Sequence, residues 1–127
     1  MSVPPGSDER PAALDPQDAT LILLARAARG RAYVLSAPAQ GAAVRDVDGR
    51  TYSAATVDNE SAALLTTALR GAVVAAASSG ARAFEAAAVV GGSGAAAEDL
   101  AVLREFGTGV PVLLADADGT VLARATT

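Results

Sequence analysis

GGSGAAAEDLAVLREFG, residues 91–107, reads as the end of a strand, a glycine turn and then a helix. The first amides of a helix have no partner inside it, so phosphates and metal ligands are often placed against them. Here the positions that could reach such a group are Ala95, Ala96 and Ala97. The remainder of the chain has to explain a site-like opening lined by methyl groups.

Working outward, FEAAAVVGG (residues 84–92) is a short apolar run suited to a buried strand, and residues 95–106 form the helix after it. VPVLLADADGTVLARAT (110–126) is a hairpin that turns near Asp118-Gly119, and GAAVRDVDGRTYSAATV (41–57) is another around Asp48-Gly49. Between them, SAALLTTALRGAVVAAASS (61–79) has a stripe of Leu65, Leu69, Ala72 and Val73, with Leu64, Ala68 and Ala75 on its other sides. Arg70 is its one charge, so the pattern predicts a helix over 61–79 that is buried nearly all round, with Gly71 permitting a close neighbour. Upstream, DPQD opens a further helix. Asp15 is its N-cap, Pro16 sits at the first helical position and Asp18 lies near the positive end of the dipole. Leu21, Leu24, Ala25 and Ala28 follow at helical spacing, Gly30 closes the helix, and residues 31–40 connect it to the first hairpin.

The order is α-β-β-α-β-α-β-β, which predicts an α/β fold of three layers, α/β/α, around a mixed sheet of about five strands. Residues 1–14, acidic and proline-rich, are expected to be a disordered lead-in, and 15–127 a single domain. With 51% hydrophobic residues but only 3% aromatics, the core must be filled by Ala, Val and Leu, which suits helices lying close on a sheet.

Composition also excludes chemistry. The chain has no Cys and no His, which removes thiolate nucleophiles, imidazole acid–base catalysis and the usual zinc ligands. All ten basic residues are Arg, so Schiff-base and phosphate-loop lysines are missing as well. A net charge of −4, with the arginines scattered singly, argues against nucleic-acid binding. No apolar run is long enough to span a membrane or to serve as a signal core, so the expected location is cytoplasmic. The Ala- and Arg-rich, Lys-free bias points to a GC-rich bacterial genome.

Several strings, in order and at near-gapless spacing, resemble the small homotetrameric cytidine deaminases over roughly residues 17–125. They are GAAV (41–44), TVDNES (56–61), LREFG (103–107) and VPVLLADADG (110–119). The resemblance implies a three-layer cytidine-deaminase-like fold, a homo-oligomer (dimer or tetramer), and a zinc held at two helix starts. One start carries Cys or His, then Ala, then a proton-shuttling Glu; the other carries Pro-Cys-x-x-Cys. Set against that pattern, the first zinc ligand falls on Thr67, the Glu on Leu69, and the paired cysteines on Ala96 and Asp99. The ribose-binding pair falls on Thr56 and Asp58, and a substrate-binding phenylalanine near Pro38. A lone carboxylate cannot replace three zinc ligands, so no cofactor and no deamination are expected. An unpaired Glu without zinc would be a costly buried charge, whereas leucine is not, so the former site is expected to have become core.

Three sharper readings stand beside plainer ones. Gly92-x-Gly94-x-x-Ala97 fits a dinucleotide fingerprint, but such a fold needs further parallel strands, and a tight turn explains the same residues. Thr56 and Asp58 could still hold a ribose; alternatively Asp58 and Asn59 serve the turn and the helix start. Thr67 and Asp99 could be polar remnants of the site; alternatively Thr67 bonds a carbonyl one turn back and Asp99 stabilises its own helix. The leading expectation is a non-catalytic protein acting through assembly or protein interaction. A nucleoside- or nucleotide-binding module is the alternative, and a carboxylate-based enzyme comes last.

Overall fold

The computed structural model describes residues 14–127. The expected lead-in lies outside the described residues except for Leu14, which packs half-buried against the core beside the first helix. Five strands form one sheet: β1 (Gly41–Asp46), β2 (Thr51–Ala55), β3 (Phe84–Val90), β4 (Pro111–Ala115) and β5 (Val121–Thr126). Their order is β2-β1-β3-β4-β5. Only β3 and β4 run parallel, joined by a helical crossover; the other neighbours are antiparallel. Helix α1 (Pro16–Arg29) covers one face, while α2 (Ala68–Ser78) and α3 (Ala97–Arg104) cover the other. The expected α/β/α layering and mixed five-stranded sheet are both present.

Strand alternation sorts the core into two layers. Ala42, Val44, Ala87 and Val89 point to α2 and α3, whereas Ala43, Ala86, Ala88 and Val90 point to α1. Small side chains let the helices approach closely. Gly41 marks the tightest point, since a Cβ there would collide with the backbone of Ala25 and Arg29 in α1. On the other face a Cβ on Gly71 would come to 3.0 Å from the Ala54 methyl of β2, the near contact its sequence position predicted. The two hairpins share one device. Asp46 Oδ1 accepts from the amides of Asp48 and Arg50, and Asp116 Oδ1 from those of Asp118 and Thr120. Gly49 and Gly119 supply the positive φ that each turn requires.

The helix expected over 61–79 is shorter and less enclosed. Residues Ala62–Leu64 form a single 3-10 turn, and Thr66 pairs in an isolated bridge with Val57. Thr67 then caps α2 by accepting from the Arg70 amide at 3.4 Å, instead of bonding a carbonyl behind it. One face, Ala68, Leu69, Ala72, Val73 and Ala76, is buried, while Val74 is exposed. The apolar sequence runs past the helix start, but Ala62, Ala63 and Leu64 lie exposed on the turn before it, so apolar character there does not mean burial. At the chain's first helix the expected cap is present, with Asp15 accepting from the Gln17 amide at 2.8 Å.

Candidate functional site

The starts of α2 and α3 face the same space. Thr67 closes one start with its hydroxyl, and Ala96 opens the other with no side-chain cap. Between them and the loop after α1 lies a cleft of about 250 Å³, bordered by Pro38, Thr56, Leu65, Thr67, Ala96 and Asp99 among others. That volume lies just below the roughly 300–1,000 Å³ range of small-molecule pockets.

Two residues build the walls. Gln40, just before β1, donates through Nε2 to the carbonyls of Gly91 (3.0 Å) and Gly94 (2.8 Å), so it holds the glycine turn that launches α3. The backbone of Gln40 is fixed in turn by Thr56. Its amide donates to Thr56 Oγ1 at 3.0 Å and its carbonyl accepts from the Thr56 amide at 3.0 Å. Asp58 shapes the opposite wall. Its Oδ2 accepts from the amides of Leu35, Ser36 and Ala37 at 2.9–3.0 Å, and its Oδ1 from the Asn59 amide at 2.8 Å. The Ser36, Ala37, Leu35 and Asn59 amides together hold this carboxyl well below the usual carboxylate range, against the opposing pull of burial.

The residues singled out from sequence therefore separate. Thr56, Thr67, Ala96 and Asp99 converge on the cleft, as does Pro38. Leu69 does not; only 2% exposed, it belongs to the core between α2 and the sheet. Of the four positions expected to have become core (Thr67, Leu69, Ala96 and Asp99), Leu69 alone packs into the hydrophobic cluster, and the space between the two helix starts stays open, because alanine and threonine are too short to fill it. Asp58 lies behind the loop at 35–37, its oxygens engaged by backbone amides. Sequence reading missed Gln40, whose one signal was a long amide among the small residues before Gly41. The glycines of the fingerprint-like turn do adopt positive φ. Their nearest neighbour at Gly92 is the Gln40 side chain, and the strand after α3 continues into an antiparallel hairpin, so the tight-turn reading describes them.

Most polar groups on the cleft already have partners. Thr56 Oγ1 donates back to the Gln40 carbonyl at 3.3 Å, and Thr67 Oγ1 caps α2. Asp99 differs. Its side chain is only 5% exposed and its Oδ1 is buried with no hydrogen bond. Arg70 Nη2 stands 3.6 Å from that oxygen, within ion-pair range but too long for a hydrogen bond. The same guanidinium lies 3.8 Å from the exposed Glu98 carboxylate.

A three-layer α/β/α sheet with a cleft at two facing helix starts defines the class. The model of the family described as "Cytidine deaminase-like" matches residues 14–119, and the chain belongs to that family. Among solved structures, cytidine deaminase from Burkholderia pseudomallei is 32% identical, with a TM-score of 0.77 over 84% of this chain and 90% of that one. Cytidine deaminase from Mycobacterium tuberculosis is 30% identical, with a TM-score of 0.71 over 79% of this chain and 85% of the other. The Mycobacterium leprae enzyme, at 24% identity, TM-score 0.75 and coverage of 88% and 94%, shares the fold. No curated protein matches the chain.

The zinc that the resemblance implies does not fit the donors present. At the two helix starts stand a capping hydroxyl (Thr67), a methyl group (Ala96) and one carboxylate (Asp99). Among the described residues no three His, Cys, Asp or Glu side chains come together. A stable zinc site takes three or four N, S or carboxylate ligands. No helix among the described residues is long and apolar enough to cross a membrane.

Proposed function

We propose that this chain is a non-catalytic member of the family that has exchanged a hydrolytic zinc centre for a small binding pocket, with a nucleoside-sized molecule as its ligand. The observation that carries this reading is the open cleft itself. Had the site been abandoned, larger side chains at the positions of Thr67 and Ala96 could have filled it and stabilised the fold by burial. Instead, Gln40 and Asp58 brace its walls with bonds that span 51 to 54 and 21 to 23 residues of chain. Thr56 is the remaining candidate for a ribose contact, since it borders the cleft, as Asp58 does not, and its hydroxyl keeps one acceptor lone pair beside its two bonds to Gln40. The test is a thermal-shift titration of the full chain with cytidine, deoxycytidine and their nucleotides, alongside metal analysis of the purified protein. A rise of several degrees with at least one nucleoside and no stoichiometric zinc is expected. Stoichiometric zinc, or turnover of cytidine, would overturn the proposal.

A second reading is assembly as a homo-oligomer, the dimer or tetramer expected from the resemblance. Tyr33, Leu35, Val57 and Leu64 are large, apolar and exposed, on segments tied to one another through the Tyr33–Val57 bridge and the Asp58 and Asn59 hydrogen bonds. Adjacent exposed apolar side chains of this size commonly mark contact surfaces.

A further inference from the structure

Asp99 is the unexplained group in the cleft. A carboxylate at the third position of a helix can reach back to bond the cap amide, yet Asp99 Oδ1 makes no hydrogen bond. Nor does Asp99 bond to Gln40, Thr56 or Thr67, which border the same space and have partners of their own. Burying a carboxylate oxygen without a hydrogen bond is expensive, and Arg70 at 3.6 Å offsets only part of that cost. The apolar part of the cleft lining is supplied by Pro38, Leu65, Ala95 and Ala96 among others.

On the reading of the cleft as a pocket, we propose that Asp99 is its recognition residue and that the ligand presents a planar, cationic N–H edge of the amidinium or guanidinium type. Such an edge donates two parallel hydrogen bonds to a carboxylate, and its flat body packs on short apolar side chains. Asp99 then trades a long contact with Arg70 for a paired charge, and Arg70 turns to the exposed Glu98 that it already approaches. The pocket selects against anions, because an anion would meet the Asp99 carboxylate.

The test is a ¹H–¹⁵N NMR titration of the full chain with benzamidine and with benzoate, which has nearly the same shape and the opposite charge. Benzamidine is expected to shift the amides of residues 93–100 saturably, and benzoate to leave them in place. Asp99→Asn should weaken benzamidine by at least about tenfold, the loss of a charge-assisted hydrogen-bond pair. Arg70→Gln should strengthen it, because the competing guanidinium is gone; a purely structural Asp99–Arg70 pair predicts no such gain. Equal binding of benzoate, undiminished binding by a folded Asp99→Asn chain, or no gain in Arg70→Gln would overturn the assignment. If Asp99→Asn fails to fold, the Arg70→Gln titration decides alone. Nucleosides that move the cleft amides while benzamidine does not would overturn this assignment and leave the pocket standing. Silence from both would overturn both.

Discussion

Asp58 shows how one side chain can look like a binding group and serve as a structural one. In sequence it occupies a position where the resemblance places a ribose contact. In the fold it gathers the amides of residues 35–37 and 59, and through them sets the loop that carries Pro38 to the cleft. Its pKa is depressed in the folded protein, so between the folded and unfolded values the unfolded chain binds more protons. The stabilisation it provides is full above the unfolded value of about 3.9 and is lost as pH falls below that toward the folded one. Urea midpoints should therefore show Asp58→Asn less stable than the parent at pH 6, with the gap narrowing steadily below about pH 4. A gap that stays constant down to pH 2 would mean that the charge is not what holds the loop. No spacing rule distinguishes these roles, because three of the four partners are backbone amides more than twenty residues away.

At the scale of elements, the site depends on how closely helices and strands approach. Gly41 lets α1 cross β1, and Gly41→Ala should cost at least about 3 kcal/mol, the upper end of ordinary overpacking, because the clash is with backbone. Equilibrium denaturation measures this, and a loss under about 1 kcal/mol would mean that α1 can shift aside without penalty. The crossover from β3 to α3 depends on Gln40. Gln40→Ala removes two hydrogen bonds to the carbonyls of Gly91 and Gly94, and should cost about 1–3 kcal/mol. It should also speed hydrogen exchange at residues 92–97, whereas unchanged exchange there would show the turn to be self-supporting. The strands, hairpin turns and α1 cap were readable in advance, since alternation, Asp-Gly turns and Asp-Pro starts are local signals. The true start of α2 was not. Its upstream residues are as apolar as the helix, and only the Thr67 hydroxyl and the Thr66–Val57 bridge show where the backbone changes course.

For the whole molecule, the exposed apolar residues at the loops around the cleft bear on assembly. Light scattering at tens of micromolar should give a mass above that of one chain, and Leu64→Glu, at a side chain 64% exposed, should lower it without lowering thermal stability. A clean monomer for the parent would remove assembly from the account. Composition alone was enough to remove histidine, cysteine and lysine chemistry, because a residue type missing from all 127 positions is missing from every site the chain can fold into. Periodicity likewise fixed the layered α/β class and its order of elements, since burial on one face of a strand or helix is written in local spacing. Which positions share the cleft was another matter. Thr67 joined Ala96 and Asp99 there while Leu69, two residues on, went into the core, and Gln40, just before β1, reached the glycine turn that leaves the neighbouring β3. Those outcomes follow from the direction in which each helix start points and from which backbone groups lie opposite. Such long-range geometry is set only when the layers close on one another.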